Sequence, residues 1–271
     1  MKTFAFFFLL FGIVFNPAAH AQTAEDYFNA GVAKYNNKDF NGAIADFTRA
    51  IEIKPNYPGA FYNRGTVKNK LKNYAEAIGD FTKAIELVPD YKEAYLNRGI
   101  AKKNLQQFND AIKDYNKAMD IDPRYAKAYE NRGIARYGQL DTSGAMADLY
   151  KAIELDPNNY MSFYNLGKIK KDNKDYKAAL ENYNKSIELN PKYADAFQNR
   201  GIAKYVMQNY KDAIEDYNMA IELKPNYGDA YYNRGIAKIM IKDKTGACTD
   251  LNKALELGYA AAQETINDHC R

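Results

Sequence analysis

The chain contains no tryptophan, two cysteines and two histidines among its 271 residues. One histidine, His20, lies in an N-terminal segment, which leaves His269 as the only imidazole in the rest of the sequence. Asp268-His269-Cys270 has no further ligands at zinc spacing, so no metal is expected. A Gly-rich phosphate loop, a G-x-S-x-G turn and an H-E-x-x-H helix are all absent, and no Cys–His pairing lies away from the C-terminus. Carboxylates are plentiful but recur at regular positions that have structural explanations. No catalytic residue and no cofactor are expected, and the chain reads as a non-enzyme.

Charge of one sign is lacking too. Lys and Arg total 38 against 34 Asp and Glu, and the formal net charge of +4 gives no nucleic-acid footprint. Long apolar runs are confined to the start. Met1 and Lys2 precede an apolar stretch from Phe4 to Phe15, then Pro17 and Ala19-His20-Ala21. A basic start, an apolar stretch too short to span a bilayer and a small-x-small site describe a cleaved secretory signal over residues 1–21. The mature chain then begins at Gln22 and is exported to the periplasm or the medium of a bacterial cell. Cys248 and Cys270, an even pair in an exported chain, suggest one disulfide, with two buried free thiols as the alternative.

What is abundant is repetition. FYNRGTVK (from Phe61), YLNRGIAK (Tyr95), YENRGIAR (Tyr129), FQNRGIAK (Phe197) and YYNRGIAK (Tyr231) fall in one 34-residue register, with looser copies at Tyr27 and Phe163. Prolines recur at 55, 89, 123, 157, 191 and 225, and alanines at 43, 77, 111, 145, 179, 213 and 247. The register defines units 24–57, 58–91, 92–125, 126–159, 160–193, 194–227 and 228–261, and a fixed period of this length signals a solenoid. Each unit holds two stretches of helical periodicity, A and B, joined by a short polar turn, and a Pro stops the second.

These residues resemble the tetratricopeptide repeat family from about residue 24 to 261. In the second unit its pattern falls on Phe61, Gly65, Ala77, Phe81, Ala84 and Pro89. Departures are Leu149 and Leu251 for the helix B aromatic, and Ser186 for one Ala. The resemblance implies an all-α, right-handed superhelical solenoid of antiparallel helix pairs, with helix A lining the concave side. A Gly repeated mid-helix costs about 1 kcal/mol against Ala, which demands a packing reason. The expectation is that it lets helix B approach until Ala77 and Ala84 seat against helix A.

Three adjacent residues, Asn-Arg-Gly, point three ways because a helix turns about 100° per residue. Where Leu166 replaces Arg in the fifth unit, Asn182 replaces Asp on helix B. That covariation predicts structural pairs Arg64–Asp80, Arg98–Asp114, Arg132–Asp148, Arg200–Asp216 and Arg234–Asp250, fixing the register of each helix pair.

Asn29, Asn63, Asn97, Asn131, Asn165, Asn199 and Asn233 occupy a position turned away from helix B. Asn is a weak helix former, so something other than propensity favours it. One reading is duplication, or a bond to the next repeat. The other uses the amide, which both donates and accepts and can hold an extended chain by its backbone. The resemblance implies the second, because asparagines at this position line the groove of several peptide-binding members. Neighbours Tyr62, Leu96, Tyr164, Tyr232, Lys103 and Lys171 would complete the groove, and its mostly apolar lining favours an apolar extended peptide over an acidic tail.

The seventh unit ends differently. Gly258 should close helix B in a left-handed cap, and a final helix from about Ala260 to His269, with 262–271 beyond the last repeat, should cover the array end. Cys270 could reach Cys248 there. The resulting expectation is an exported protein–protein interaction scaffold that binds an extended segment of another envelope or secreted protein, with neither nucleic acid nor a membrane span. Alternatives are an assembly factor using its convex face or array ends, and, less favoured, an enzyme or carbohydrate-binding protein.

Overall fold

The computed structural model describes residues 22–270, so the signal segment lies outside the described residues. Fifteen helices follow one another among them, with no strand. The A helices are α1 (Ala24–Asn36), α3 (Pro58–Lys70), α5 (Lys92–Asn104), α7 (Ala126–Gly138), α9 (Tyr160–Asp172), α11 (Ala194–Val206) and α13 (Gly228–Met240). The B helices are α2 (Phe40–Ile53), α4 (Tyr74–Leu87), α6 (Phe108–Ile121), α8 (Thr142–Leu155), α10 (Tyr176–Leu189), α12 (Tyr210–Leu223) and α14 (Lys244–Glu256), and α15 (Ala262–His269) ends the array. Each helix packs on the next, so the core is a continuous string of small clusters along a solenoid.

The turn from A to B is uniform and costly. Lys38, Lys72, Gln106, Leu140, Lys174, Gln208 and Lys242 all have φ between 61° and 66°, a left-handed conformation that L-residues avoid. Bonds of the Schellman type hold it: Lys72 N donates to Asn69 O (3.0 Å) and Asn73 N to Lys68 O (2.9 Å). Gly258, at φ 88°, closes α14 in the same way.

The repeated glycine lies chiefly under the helix B ring. Where leucine replaces that ring it also meets the first alanine: a Cβ on Gly133 would fall 3.0 Å from Ala145 O, and one on Gly235 3.2 Å from Ala247 O. A Cβ on Gly99 would lie 2.5 Å from Tyr115 Cε1, so this glycine makes room for the helix B ring of its own unit. Ala84 instead joins Phe61 and, across the junction, Ala94 of the next unit. The glycine's room therefore serves the ring first and the first alanine second, while Ala84 seats against Phe61 of helix A. The aromatic is the large volume that needs space, and the alanines allow the next A helix to approach.

Successive A helices touch one another, as α3 does α5 and α5 does α7, whereas successive B helices do not approach comparably. The A helices therefore lie on the inner, shorter-radius side.

Candidate functional site

The asparagine ladder runs along that inner side, and its amides are largely engaged. Asn63 Nδ2 donates to Gly59 O (2.9 Å), and Asn131 Nδ2 to Lys127 O (2.9 Å). Asn97 Nδ2 donates to the Tyr62 hydroxyl (2.9 Å). Asn199 Nδ2 reaches both the Tyr164 hydroxyl (3.2 Å) and Asp195 O (3.0 Å). Two lysines of preceding units close on the ladder: Lys103 Nζ donates to Asn131 Oδ1 (3.2 Å) and Lys171 Nζ to Asn199 Oδ1 (2.9 Å). Asn165 differs, because its Nδ2 is buried with no hydrogen-bond partner. Asn29 is exposed and Asn233 half-buried.

The residues beside the ladder lie at junctions between units. The Tyr62 ring stacks on Tyr91 (4.9 Å between centroids), Tyr164 meets Tyr193 edge-on (5.0 Å) and Tyr232 packs on Tyr259 (4.7 Å). Leu96 was expected to line the groove; it is only 5% exposed, packed in a cluster with Tyr115, Ala128 and Ala135. A tyrosine at this position reaches out of the junction, while the shorter leucine stays beneath Tyr125. Gln198 is buried likewise.

The junction tyrosines 57, 91, 125, 193, 227 and 259 were not singled out from the sequence. The signal was available: in five of the six, Tyr follows the unit-ending proline by two residues. Burial, helped by Tyr62 and Glu93, pushes the Tyr91 hydroxyl up to about 12. At the centre of the inner face, burial lowers the Lys103 ammonium below its ordinary value and raises the Glu130 carboxyl above its own. Glu130 accepts from Asn159 Nδ2, and that Asn stands where other junctions have Tyr.

Tetratricopeptide repeat models match residues 58–91, 194–227 and 149–181, and a TPR repeat model matches 31–71, 103–139 and 167–208. The chain belongs to the tetratricopeptide repeat family. Among solved structures, a tetratricopeptide repeat protein from Parabacteroides merdae ATCC 43184 has TM-score 0.70 at 19% identity, covering 93% of this chain and 100% of its own. Cut9–Hcn1, an APC/C hetero-tetramer, has TM-score 0.76 at 16% identity, covering 91% of this chain and 49% of its own. TTC0263, a thermophilic TPR protein from Thermus thermophilus, has TM-score 0.58 at 22% identity, covering 67% and 98%. No curated protein matches the sequence. These likenesses show the α-solenoid fold, which in this family generally serves protein–protein interaction.

Within the tetratricopeptide repeats the arginines do more than pair inside a unit. Arg98 Nε and Nη2 grip Asp114 at 3.0 and 2.7 Å, and Arg64–Asp80, Arg132–Asp148, Arg200–Asp216 and Arg234–Asp250 have the same forked geometry. The third nitrogen, Nη1, crosses to the preceding B helix, where Thr48, Thr82, Asn116, Asn184 or Asn218 accepts it. Each Asp also takes a second cation from one turn along helix A, as Lys102 Nζ does at 2.8 Å from Asp114. The clamp thus ties one unit to the one before it. At the fifth unit Leu166 is buried with Leu149 and Ile169, and the helix B position that would accept an arginine is Tyr150.

At the end of the array Cys248 of α14 and Cys270 beyond α15 meet, Cα atoms 5.6 Å apart with the sulfurs at bonding distance. No group of three or more His, Cys, Asp or Glu side chains is arranged for a metal among the described residues. No helix among them is long and apolar enough to cross a membrane.

Proposed function

We propose that this tetratricopeptide repeat protein is an exported scaffold whose inner groove holds an extended peptide segment of another envelope or secreted protein. The observation that carries the reading is the seven-fold asparagine position on the inner face, with one central member, Asn165, lacking any partner for its amide Nδ2. A donor left unmade when buried costs about 1–3 kcal/mol. Packing between units gives no reason to keep an Asn there, whereas a ligand carbonyl that the side chain turns to meet would. Export rests on the features of residues 1–21 and is supported by the Cys248–Cys270 pair, because disulfides persist in oxidising compartments.

A second reading has its own observation. Asn97 to Tyr62 and Asn199 to Tyr164 are bonds across unit junctions, so part of the ladder serves packing. On that reading the convex face or the array ends carry the partner.

Capture from the envelope fraction of the source cell separates the two. One bait is the chain from Gln22, and the other carries Ala at Asn97, Asn131, Asn165 and Asn199. Partners lost from the second bait, with helicity and melting unchanged, support the groove. The same partners on both baits, with a lower melting temperature for the second, favour packing and refute the groove.

A further inference from the structure

The inner face carries a pattern with a period of three units rather than one. Tyr62, Tyr91, Glu93, Asn97 and Tyr125 recur 102 residues later as Tyr164, Tyr193, Asp195, Asn199 and Tyr227. At the four other starting units the set is broken, by Gly59, Lys127, Met161 or Gln198 among others. In both complete sets the ladder asparagine donates to the first tyrosine hydroxyl, at 2.9 and 3.2 Å. In both, the first two rings pack at 4.9 and 5.0 Å between centroids. The second set has a fourth ring, Tyr160, 5.1 Å from Tyr193. All ten residues are half-exposed.

Neither Glu93 nor Asp195 has a salt-bridge partner among the described residues, in a chain where five of the six repeat aspartates take two cations each. Each lies electrostatically against its tyrosines, whose hydroxyls burial and that charge push up. A carboxylate without a salt bridge beside a cluster of tyrosines attracts a cation through its charge and through the ring quadrupoles together. The chain's own lysines show the preference at the same tyrosine position. Lys92 Nζ lies 5.1 Å over the Tyr125 ring, Lys224 Nζ 4.0 Å over Tyr227 and Lys54 Nζ 4.9 Å over Tyr57.

We propose that these two sets are twin sites for the cationic side chains, Lys or Arg, of one extended segment lying in the groove. The inference rests on the groove reading above and adds the partner's chemistry: two basic residues set apart by three units. Neighbouring A helices stand about 8–10 Å apart, and an extended chain advances about 3.4 Å per residue. The two basic residues should therefore be separated by about seven to nine positions.

The test is fluorescence anisotropy with labelled Ala/Ser peptides carrying two Arg, two Lys, two citrulline, two Leu or two Glu eight positions apart. They are titrated with the chain from Gln22 at low and high salt. The Arg or Lys peptide should bind at least about tenfold more tightly than the citrulline peptide and weaken with salt. Glu93→Gln and Asp195→Asn should each cost about fivefold, and together should remove the advantage over citrulline. If the citrulline, Leu or Glu peptide binds as well as the Arg and Lys peptides, or the double variant leaves the cation advantage intact, the cation sites are refuted. In that case, loss of the remaining binding on Asn165→Ala keeps the groove itself. Absence of binding by all five peptides at millimolar protein refutes both.

Discussion

The fifth unit supplies a natural experiment on the clamp, and it can be transplanted. In the third unit Asp114 is 5% exposed in its side chain, held by Arg98 (15%) through two bonds and by Lys102 (18%) through one. Asp114→Asn keeps the shape but leaves two cations facing a neutral amide in a site that water scarcely reaches. Removing one partner of a buried pair costs about 3–5 kcal/mol; the cations keep some solvent access, so about 2–4 is expected. Arg98→Leu alone strands a buried carboxylate with Lys102 only, at about 1–3 kcal/mol. The two together reproduce the fifth unit, where Leu166 is buried, Asn182 Nδ2 donates to Ala178 O (2.7 Å) and Lys170 remains without an Asp. Thr82 would lose the Arg98 bond but keep its own donation to Ile78 O.

The double variant should therefore cost about 1 kcal/mol, with a coupling of about 2–6 kcal/mol between the sites. Urea unfolding followed by circular dichroism gives the global cost. Because repeat arrays open locally, hydrogen exchange of α5 and α6 gives the local one. If the double variant costs the sum of the singles to within about 0.5 kcal/mol, the covariation carries no energy and the clamp reasoning is wrong.

Four further outcomes are expected. Gly99→Ala drives a Cβ to 2.5 Å from Tyr115 and should destabilise by about 1–2 kcal/mol net of helix propensity. Gly79→Ala, in α4 with open space around it, should stabilise by about 0.5–1 kcal/mol, both read from urea midpoints. Leu140, at φ 66° and 87% exposed, loses nothing on Leu140→Gly except strain, so melting should rise by the equivalent of about 0.5–1 kcal/mol. Glu130 has its carboxyl raised above the ordinary 4.5, so its ionisation opposes folding. Stability from this group is present below that ordinary value and is lost as pH rises through the higher folded value. Glu130→Gln should therefore be more stable than the parent at pH 7, and the difference should vanish below about pH 4 in urea titrations.

The helix pairs were legible because their causes repeat. Proline, glycine and alanine recur wherever a helix ends or another comes close, and the arginine–aspartate pairs showed themselves through the one unit that lost both. The left-handed turn was not legible, since Lys38, Gln106 and Leu140 share no chemistry that favours φ above zero. The backbone bonds of the Schellman turn hold it, and any side chain is tolerated at a cost. The third arm of each arginine was also hidden. Its acceptor is Thr in two units and Asn in three, a pattern that reads as surface variation until the guanidinium is placed. Leu96 misled for a related reason: equal sequence position does not mean equal depth when a six-membered ring is exchanged for a branched chain half its reach.

Packing and recognition leave different traces in a repeat array. Every junction must close, so packing residues keep the 34-residue period. Residues that hold a ligand's backbone at every unit, as the asparagines would, keep it too, whereas those that select among ligands touch only some junctions and appear as departures from that period. The lysines at 103 and 171 are such departures, as is the joining of Glu93 and Asp195 to a complete set of tyrosines in two units only. The fifth unit shows that a departure can also be paid in stability, since buried polar atoms without partners gather there, at Ser162, Asn165, Tyr183 and Ser186. Two of these are serines where other units have alanine. A unit that has lost its clamp and carries unmet donors is held chiefly by its neighbours, and so it should show the weakest exchange protection of the internal units. Glu93 and Asp195, by contrast, sit on helices whose clamps are complete: α5 with Arg98 and α11 with Arg200. The second cation site therefore takes its carboxylate from the clamped α11 but its Tyr164 from the unclamped α9. The first lies on α3 and α5, both clamped, so the first should be the better fixed before a ligand arrives.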